Sequence, residues 1–498
     1  MKHIGDTIAA IATAQGGAIA IIRLSGRDAV AITDRVFRAR GGKALREAAG
    51  YTVHFGEVVA SGTSDASVTS AGEVVDEVLV TVFRAPHSYT GEDSVEISYH
   101  GSPYIGRRIM ELLIEGGARA AEAGEFTVRA FLAGKMDLSA AEAVADLIAS
   151  SDRAQHALAL DQMRGSYSSQ LASLRGELVR LASLLELELD FSDEDVEFAE
   201  RGELLALAER IAAEIERLAG SFSLGNVIKE GVPVAIVGRP NAGKSTLLNA
   251  LVRDDRAIVS EIEGTTRDRI EERVALGGVS YRFIDTAGLR TTTDRLEQMG
   301  IERARDAVRG ARLVLLVTDA STSAADILAQ AGELGLTADQ RLCVVLNKID
   351  RLSEGEVSGL KSELEGSLAA GAFGGSLAAE ALEGSVAVVA LSAKTGLHLD
   401  ALEDWLRGSV DTGALYSGAV VVSNARHYEA LQRAGEGIAR VRAGLSTGLS
   451  SDGLSTGLSS DLLAEDVREV LYHLGTITGE VTSSEILATI FSKFCIGK

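Results

Sequence analysis

Apolar positions along this chain fall into three rhythms, and each rhythm occupies its own stretch. In the first third, Gly17–Leu24 (GAIAIIRL) predicts a strand, Ser25-Gly26 a turn and Arg27–Arg40 an amphipathic helix. Val74–Phe83 and Ser94–Tyr99 predict further strands, and Tyr104–Glu115 a helix. A long helical pattern from Glu125 to Ile148 closes this α+β region. From Ala154 to about Gly220 the period is helical throughout, apart from an acidic break at Asp190–Asp195. Within it Leu171, Leu174, Leu178, Leu181, Leu185 and Leu189 follow steps of three and four. That seam reads as an internal core stripe in preference to a dimer contact.

The middle of the chain changes rhythm. Val234–Val237, Leu342–Leu346 and Val386–Leu391 are short continuous apolar runs of the buried-strand kind, Tyr281–Ile284 (YRFI) predicts a further strand, and helical pattern follows the first run from Thr246 to Leu251. After Trp405–Leu406 helical patterns resume at Asn424–Val441, Leu462–Leu474 and Ser483–Phe494. Two helical regions flanking an α/β insert predict one discontinuous helical domain, each half covering the other's apolar face. The expected partition is 1–122 for the N-terminal domain, 123–226 and 413–498 for the two helical parts, and 227–412 for the insert. Glu356–Glu383, rich in Gly, Ala and Ser, predicts a loose helix and loop, and GLSTGLSSD at Gly444–Asp452 repeats as Gly453–Asp461 in the manner of a linker.

Composition adjusts this picture in three ways. A length of 498 residues suits about three domains with separate cores. A net charge of −22 argues against a surface that binds nucleic acid indiscriminately, so any RNA contact needs a local basic patch. Two cysteines, Cys343 and Cys495, make no disulfide framework and predict a reducing compartment. The opening residues predict no export signal, and the apolar Ile8–Ile22 stretch is interrupted at Gln15-Gly16-Gly17, too short to span a bilayer. A cytoplasmic protein without membrane attachment is expected.

The chemistry concentrates in the insert. Gly238-Arg-Pro-Asn-Ala-Gly243-Lys244-Ser245 matches G-x-x-x-x-G-K-[ST] between a strand and a helix. Glycines let the backbone of Asn241, Ala242 and Gly243 wrap phosphate oxygens, and the N–H groups through Lys244, Ser245 and Thr246 bind anions at the new helix's start. Lys244 reaches the β- and γ-phosphates and Ser245 offers its hydroxyl to Mg²⁺. Four more elements follow in order. Gly264-Thr265-Thr266-Arg267-Asp268 supplies Thr266 as a second hydroxyl for Mg²⁺, and Asp285-Thr286-Ala287-Gly288 supplies a carboxylate near the metal and an N–H for the γ-phosphate. Asn347-Lys348-Ile349-Asp350 and Ser392-Ala393-Lys394 each follow a strand. A carboxylate at Asp350 accepts from guanine N1–H and its 2-amino group, which adenine cannot match. The pattern predicts a GTP hydrolase. The position after D-T-A-G is Leu289, which cannot orient water, so Arg267, Arg290, Glu297 or Asn241 is a candidate for the missing polar group; Asn241 is an amide suited to a monovalent cation.

Three polar residues in the first third are unexplained by periodicity. Arg23 lies on an apolar strand, Glu96 alternates with Val95 and Ile97, and Lys135 follows Gly134 in LAGKMDL. Arg23 and Glu96 read either as a structural ion pair or as groups kept for a ligand.

With these motifs in hand the chain resembles the folate-binding, TrmE-type (MnmE) family of bacterial tRNA modification GTPases across nearly its whole length. The resemblance rests on IIRLSG (21–26), SYTGEDSVEI (88–97), GEFTVRAFLAGKMDLSAAEAVADLI (124–148), GRPNAGKS, EGTTRD, DTAGLR, MGIER (299–303) and the terminal FCIGK (494–498). It implies a multidomain α/β and α fold: an N-terminal α+β folate-binding and dimerisation domain, a discontinuous helical domain and an inserted P-loop, Ras-like G domain with a mostly parallel sheet. It implies that Arg23, Glu96, Lys135 and Lys498 bind a tetrahydrofolate derivative (5-formyl- or methylene-tetrahydrofolate). It places K⁺ on Asn241 with Ser260, Ile262 and Thr265, and Mg²⁺ on Ser245 and Thr266. Glu261, Glu263 and Gly264 then line the nucleotide in the same loop. Glu297 matches the water-orienting glutamate, which with Asn241 and Lys244 completes the catalytic set.

The family works as a homodimer with an FAD-dependent partner (MnmG, or GidA), in a heterotetramer or larger assembly. Together they add an aminomethyl or carboxymethylaminomethyl group at C5 of the tRNA wobble uridine. Cys495 reads as a C-a-a-X cysteine, a buried structural thiol or a group near the folate; Gly497 and Lys498 fit the first poorly. The alternative reading is a ribosome-assembly GTPase acting as an RNA-docking switch, which needs an RNA-binding module where this chain predicts helices. A membrane remodeller needs a basic amphipathic helix, and none is visible.

Overall fold

The computed structural model describes residues 5–14, 16–60, 73–190, 201–253, 271–284, 305–337, 339–369, 386–411, 413–447, 460–492, 494 and 497. They fall into two compact units, one made of Met1–Ala145, Gln162–Ser183 and Val467–Lys498, the other of Asp146–Asp161 and Leu184–Asp466.

The first unit is built on a sheet of β1 (Ile8–Ile11), β2 (Ile19–Ser25), β3 (Phe37–Ala39), β4 (Thr52–Ala60), β5 (Glu73–Phe83), β6 (Ser94–His100) and β7 (Arg119–Ala120), ordered β3-β4-β5-β6-β2-β1-β7. Helices α1 (Ala29–Val36) and α2 (Pro103–Glu115) cover one face. The alternation of β2 explains why: Ala20, Ile22 and Leu24 are buried with Val30, Ile32, Ile109 and Leu113, which sends Arg23 to the opposite face. The helix predicted over Arg27–Arg40 stops at Val36. Phe37 turns extended (φ −108°, ψ 128°) and pairs with Val58, so sheet pairing overrides the local helical period. β1 and β4 escape the alternation rule: IAAI is a bare apolar run, and Gly56 interrupts TVHFGEVVA. A Cβ at Gly56 would collide with the Arg38 carbonyl and the Phe37 ring, so the glycine marks a close strand approach.

The pattern over Glu125–Ile148 is two helices, α3 (Glu125–Leu132) and α4 (Leu138–Ala149). Gly134 (φ +67°) lies in the turn, and Asp137 Oδ1 accepts from the Ala140 N–H at 2.8 Å as the cap of α4. Beneath α3, Arg129 donates to Asp6 Oδ1 (2.6 Å), Glu125 Oε1 (3.0 Å) and Glu92 Oε2 (3.1 Å), while Arg119 donates to Asp6 Oδ2 (2.7 Å) and Glu125 Oε1 (2.5 Å). Burial raises the Asp6 and Glu125 carboxyls, but the hydrogen bonds from the two arginines outweigh it and hold both below their ordinary values. The stabilisation is present at neutral pH and is lost as pH falls through those depressed values.

Two further helices follow, α5 (Arg153–Met163), which belongs to the second unit up to Asp161, and α6 (Ser166–Asp190), which belongs to the first up to Ser183. Leu171, Leu174, Leu178, Leu181 and Leu185 on α6 are buried. Leu189 of the predicted stripe and the acidic break after Asp190 carry no described side chains. At the chain's far end, α15 (Ser484–Phe491) brings Leu487, Phe491 and Phe494 onto Leu138, Ala141 and Phe131.

The second unit holds α7 (Arg201–Glu230) and a six-stranded sheet of β8 (Val232–Val237), β9 (Glu271–Leu276), β10 (Val279–Ile284), β11 (Leu313–Asp319), β12 (Arg341–Asn347) and β13 (Val386–Ala390). Its order is β13-β12-β11-β8-β10-β9, parallel except for the β9–β10 hairpin. Helices α8 (Lys244–Arg253), α9 (Ala324–Gly332), α10 (Glu354–Ala369), α11 (Leu399–Gly408) and α12 (Gly413–Tyr416) accompany it. Val234, Ile236, Leu315, Val317 and Cys343 join the core on one face, and Ala235, Val237, Val314, Leu316 and Val344 join the core on the other. Strands buried on both faces need the unbroken apolar runs seen in the sequence. Cys343 is part of that core, where burial pushes its thiol far up and leaves it inert.

α13 (Ala425–Thr447) packs on α7, with Phe222 stacked on Tyr428 at 4.4 Å and Gly225 against the Val422 carbonyl. Where the tandem repeat reads as a linker, its described residues are helical: Gly444–Thr447 end α13 and Ser460-Asp461 open α14 (Ser460–Thr478), and the rest of the repeat lies outside the described residues. Among the described residues no helix is long and apolar enough to cross a membrane.

Candidate functional site

In the second unit the carboxyl ends of β8, β11, β12 and β13 converge, and sequential strands depart to opposite sides of β8. Such a switch point leaves a crevice above the strand ends, the usual ligand position in an open parallel sheet. The loop after β8 is shaped for it. Gly238 (φ +143°) lies against the Val317 carbonyl, where any Cβ would collide. Asn241 (φ +62°) adopts a left-handed conformation uncommon for a side-chain-bearing residue, and Gly243 (φ +100°) sits against Asn347 Nδ2. Ala242 is buried, while Ser245 and Thr246 open α8. The Lys244 ammonium donates to the carbonyls of Gly238 (2.7 Å) and Arg239 (3.0 Å), and burial lowers its pKa. Two of its three N–H groups are thus used, and the chemistry that favours its charged form is an anion beside the third.

The β12 end is tied to this loop. Asn347 Nδ2 donates to the Ala242 carbonyl at 2.8 Å. Its Oδ1 accepts from the backbone N–H of Lys348 (2.8 Å) and of Ala393 (3.0 Å). One buried amide therefore locks the phosphate loop, the N-K-x-D turn and the S-A-K turn together. Lys348 (φ +67°) turns its ammonium onto the Asn241 carbonyl at 2.6 Å. Asp350 lies exposed on the single helical turn Ile349–Arg351, and a hydrogen bond from Ser392 holds its carboxyl below the usual range. Ser392 is buried and Lys394 is exposed.

Of the predicted nucleotide residues, the structure brings together Asn241, Ala242, Gly243, Lys244, Ser245, Thr246, Asn347, Lys348, Asp350, Ser392, Ala393 and Lys394. Ser260, Glu261, Ile262, Glu263, Gly264, Thr265, Thr266 and Arg267 lie outside the described residues, as do Asp285, Thr286, Ala287, Gly288, Leu289, Arg290 and Glu297. Sequence reasoning missed Asp319. It ends β11 opposite Asn347 and takes a 2.9 Å hydrogen bond from Lys348 Nζ. Burial alone would raise its carboxyl, but Lys348 and Ser321 bring it down to about 2. The available signal was an acid closing an apolar strand (LVLLVTD) at the same edge as Asn347.

A second group assembles in the first unit. Arg23 and Glu96 are register partners on β2 and β6, and Arg23 gives Glu96 Oε1 two hydrogen bonds, from Nε at 2.9 Å and Nη2 at 2.8 Å. Both side chains are only about a fifth to a quarter exposed, at 20% and 24%. The guanidinium lies 5.7 Å from the Tyr89 ring centroid and 5.8 Å from that of Phe126. Its Nη1 reaches the Gly497 carbonyl at 3.4 Å. Gly497 (φ +99°) is buried against Ile11 and Ala12, so the penultimate residue arrives at Arg23 across the length of the chain. Lys135 approaches Gly91 with its Cε and donates to the Pro86 carbonyl. The loop between β5 and β6 thus touches both Arg23, through Tyr89, and Lys135, through Gly91. Lys498 and Cys495 lie outside the described residues. The Arg23–Glu96 ion pair is real, yet Glu96 Oε2 has no hydrogen-bond partner among the described residues, so the pair also presents an acceptor.

Comparison with known proteins covers the whole chain. The family model described as the MnmE helical domain matches residues 138–495, and the one described as the GTP-binding protein TrmE N-terminus matches 7–135. A tRNA modification GTPase MnmE of Bacteroides fragilis is 48% identical over 99% of this chain and 99% of its own length. The protein of the same name from Christiangramia forsetii is 46% identical, over 99% of this chain and 100% of its own. Among solved structures, the G domain of the T. maritima FeoB iron transporter aligns with 36% of this chain and 98% of that chain, at 24% identity and a TM-score of 0.24.

Proposed function

The chain belongs to the TrmE/MnmE family of tRNA modification GTPases, and from that premise we propose that it hydrolyses GTP to drive modification of the tRNA wobble uridine. The observation that carries the nucleotide half is Asn347, whose amide joins the phosphate loop to both base-recognition turns. In this reading the loop N–H groups and Lys244 bind the phosphates, and Asp350 selects guanine. Ser245 and Thr266 hold Mg²⁺, which supplies charge neutralisation at the β- and γ-phosphates. Glu297 orients the attacking water, the role Leu289 cannot fill.

Asn241 with Ser260, Ile262 and Thr265 holds K⁺, which supplies positive charge where other GTPases use an arginine finger. The left-handed backbone of Asn241 supports this, since it is imposed at the point where the loop passes the phosphates. Exchanging K⁺ for Na⁺ at constant ionic strength is expected to lower GTP turnover roughly tenfold or more. Equal rates in the two salts would remove the cation from the mechanism.

The second site takes a tetrahydrofolate derivative as one-carbon donor, with Arg23, Glu96, Lys135 and Lys498 as its ligands. Support comes from Glu96 Oε2, which has no hydrogen-bond partner among the described residues while a pterin offers two adjacent N–H donors on its pyrimidine edge, and from Gly497, whose carbonyl reaches Arg23. The homodimer is supported by the sheet face opposite α1 and α2, where Val53 is 60%, Phe55 42% and Leu79 47% exposed, neighbouring apolar side chains that a second copy would cover. The FAD-dependent MnmG protein, a larger assembly with it and a cytoplasmic location belong to the same reading. So does transfer of an aminomethyl or carboxymethylaminomethyl group to C5.

Mass spectrometry of wobble nucleosides from cells lacking the protein tests the whole. The expected result is loss of the C5-aminomethyl and C5-carboxymethylaminomethyl uridines. Unchanged nucleosides alongside immature ribosomal subunits would favour a ribosome-assembly role instead.

A further inference from the structure

The Lys348 ammonium has two acceptors, and they belong to different parts of the nucleotide site. Nζ lies 2.6 Å from the Asn241 carbonyl in the phosphate loop and 2.9 Å from Asp319 Oδ2 at the end of β11. The carboxylate is itself fixed. Asp319 Oδ1 accepts from the Ser321 N–H at 3.1 Å and the Ser321 hydroxyl at 2.8 Å. The neighbouring Ala320 N–H donates to the Asn347 carbonyl at 2.8 Å, which pins the end of β11 to the residue that precedes Lys348. The ion pair is mostly shielded, with side-chain exposures of 23% and 28%.

We infer that Asp319 is a positioning residue for the bound nucleotide: it anchors Lys348 so that the lysine's four-carbon stem spans from the N-K-x-D turn to the phosphate loop as a fixed apolar wall. A lysine stem is rotamer-rich, and a carbonyl dipole alone is a weak anchor for it compared with a charge-assisted pair. The stem crosses the space between Asp350, which reads the base edge, and the loop N–H groups, which read the phosphates. A flat purine ring lies on such a wall whatever its substituents. Asp319 therefore sets how tightly any purine nucleotide is held, and leaves the choice between purines to Asp350. The inference rests on the guanine-nucleotide reading above.

The test is the release rate of a fluorescent N-methylanthraniloyl GDP from the full chain. Asp319→Ala is expected to speed release about tenfold, and Asp319→Asn, which keeps an acceptor but no charge, by less. The KM for GTP rises in step while kcat stays within about twofold of the parent. In an Asp350→Asn background, the same Asp319→Ala change speeds release of the xanthine analogue by the same factor. A residue that only supported the fold would lower the melting temperature and the active fraction, leaving the release rate of the folded fraction unmoved. Unchanged release in Asp319→Ala, or a change in the guanine-to-xanthine ratio, overturns the inference. Failure of Asp350→Asn alone to accept the xanthine analogue overturns the base assignment instead, and the GDP release rates still judge Asp319.

Discussion

Asp350→Asn is expected to transfer the site's preference from guanine to xanthine nucleotides, a change in the affinity ratio on the order of 10⁴. The carboxylate presents two acceptors to guanine N1–H and the 2-amino group. An amide in its place presents one acceptor and one donor, which repels the 2-amino group and suits the 2-oxo group of xanthine. The effect is large because the donors of guanine would be left unpaired. The surroundings favour a clean exchange. Asp350 stands on a one-turn helix at the exposed rim, with no core packing to disturb, and the Ser392 hydroxyl that steadies it can still donate to an amide oxygen, though more weakly. Competition binding of GDP and XDP to the variant is the measurement, and GDP affinity equal to that of the parent would rule out Asp350 as the base-reading group.

How much of this was legible beforehand differs between the two sites, for a physical reason. The nucleotide site is made of local segments, each a strand end and the turn after it, so every element carries its own signature in sequence order. What the sequence leaves hidden there is the cross-linking. Asn347 bonding Ala242 and Ala393, and Asp319 bonding Lys348, join residues from separate strands of a parallel sheet, and no spacing rule encodes such partners. In the first unit the difficulty is greater. Arg23 and Glu96 stand out because a charge on an otherwise apolar strand violates alternation, but their pairing depends on the antiparallel register of β2 and β6. Tyr89, Phe126 and Gly497 come from a loop, a helix and the chain end, and look like ordinary residues until the fold collects them. The errors in the elements have a similar origin. Arg27–Arg40 carries a helical period past Val36, yet Phe37 is worth more to the fold as a strand residue over Gly56 than as another helical turn.

The two sites also share a chemical logic, which gives the second large prediction. A pterin and a guanine carry the same pyrimidine edge, a ring N–H beside an exocyclic amino group, and a carboxylate oxygen is the matching acceptor for either. Glu96 Oε1 is held by Arg23, and under the proposed function Oε2 would meet that edge, the part Asp350 would play in the other unit with Ser392 as its support. Glu96→Gln is therefore expected to weaken binding of 5-formyl-tetrahydrofolate to the full chain by roughly 30- to 4,000-fold, the range for losing one partner of a desolvated charge pair. Glutamine keeps the length of the side chain, but its amide has one oxygen where the carboxylate has two. If that oxygen stays on Arg23, the amino group faces the donors of the pterin. If it turns to the pterin, the Arg23 guanidinium between Tyr89 and Phe126 loses its acceptor as well as its counter-charge.

Calorimetric titration of parent and variant measures the loss. Thermal melting of both shows whether the sheet survives the change, as the backbone pairing of β2 with β6 predicts. A variant that melts like the parent and binds the folate within threefold of it would reduce Arg23–Glu96 to a structural ion pair, and the first unit's ligand would have to be sought on other residues.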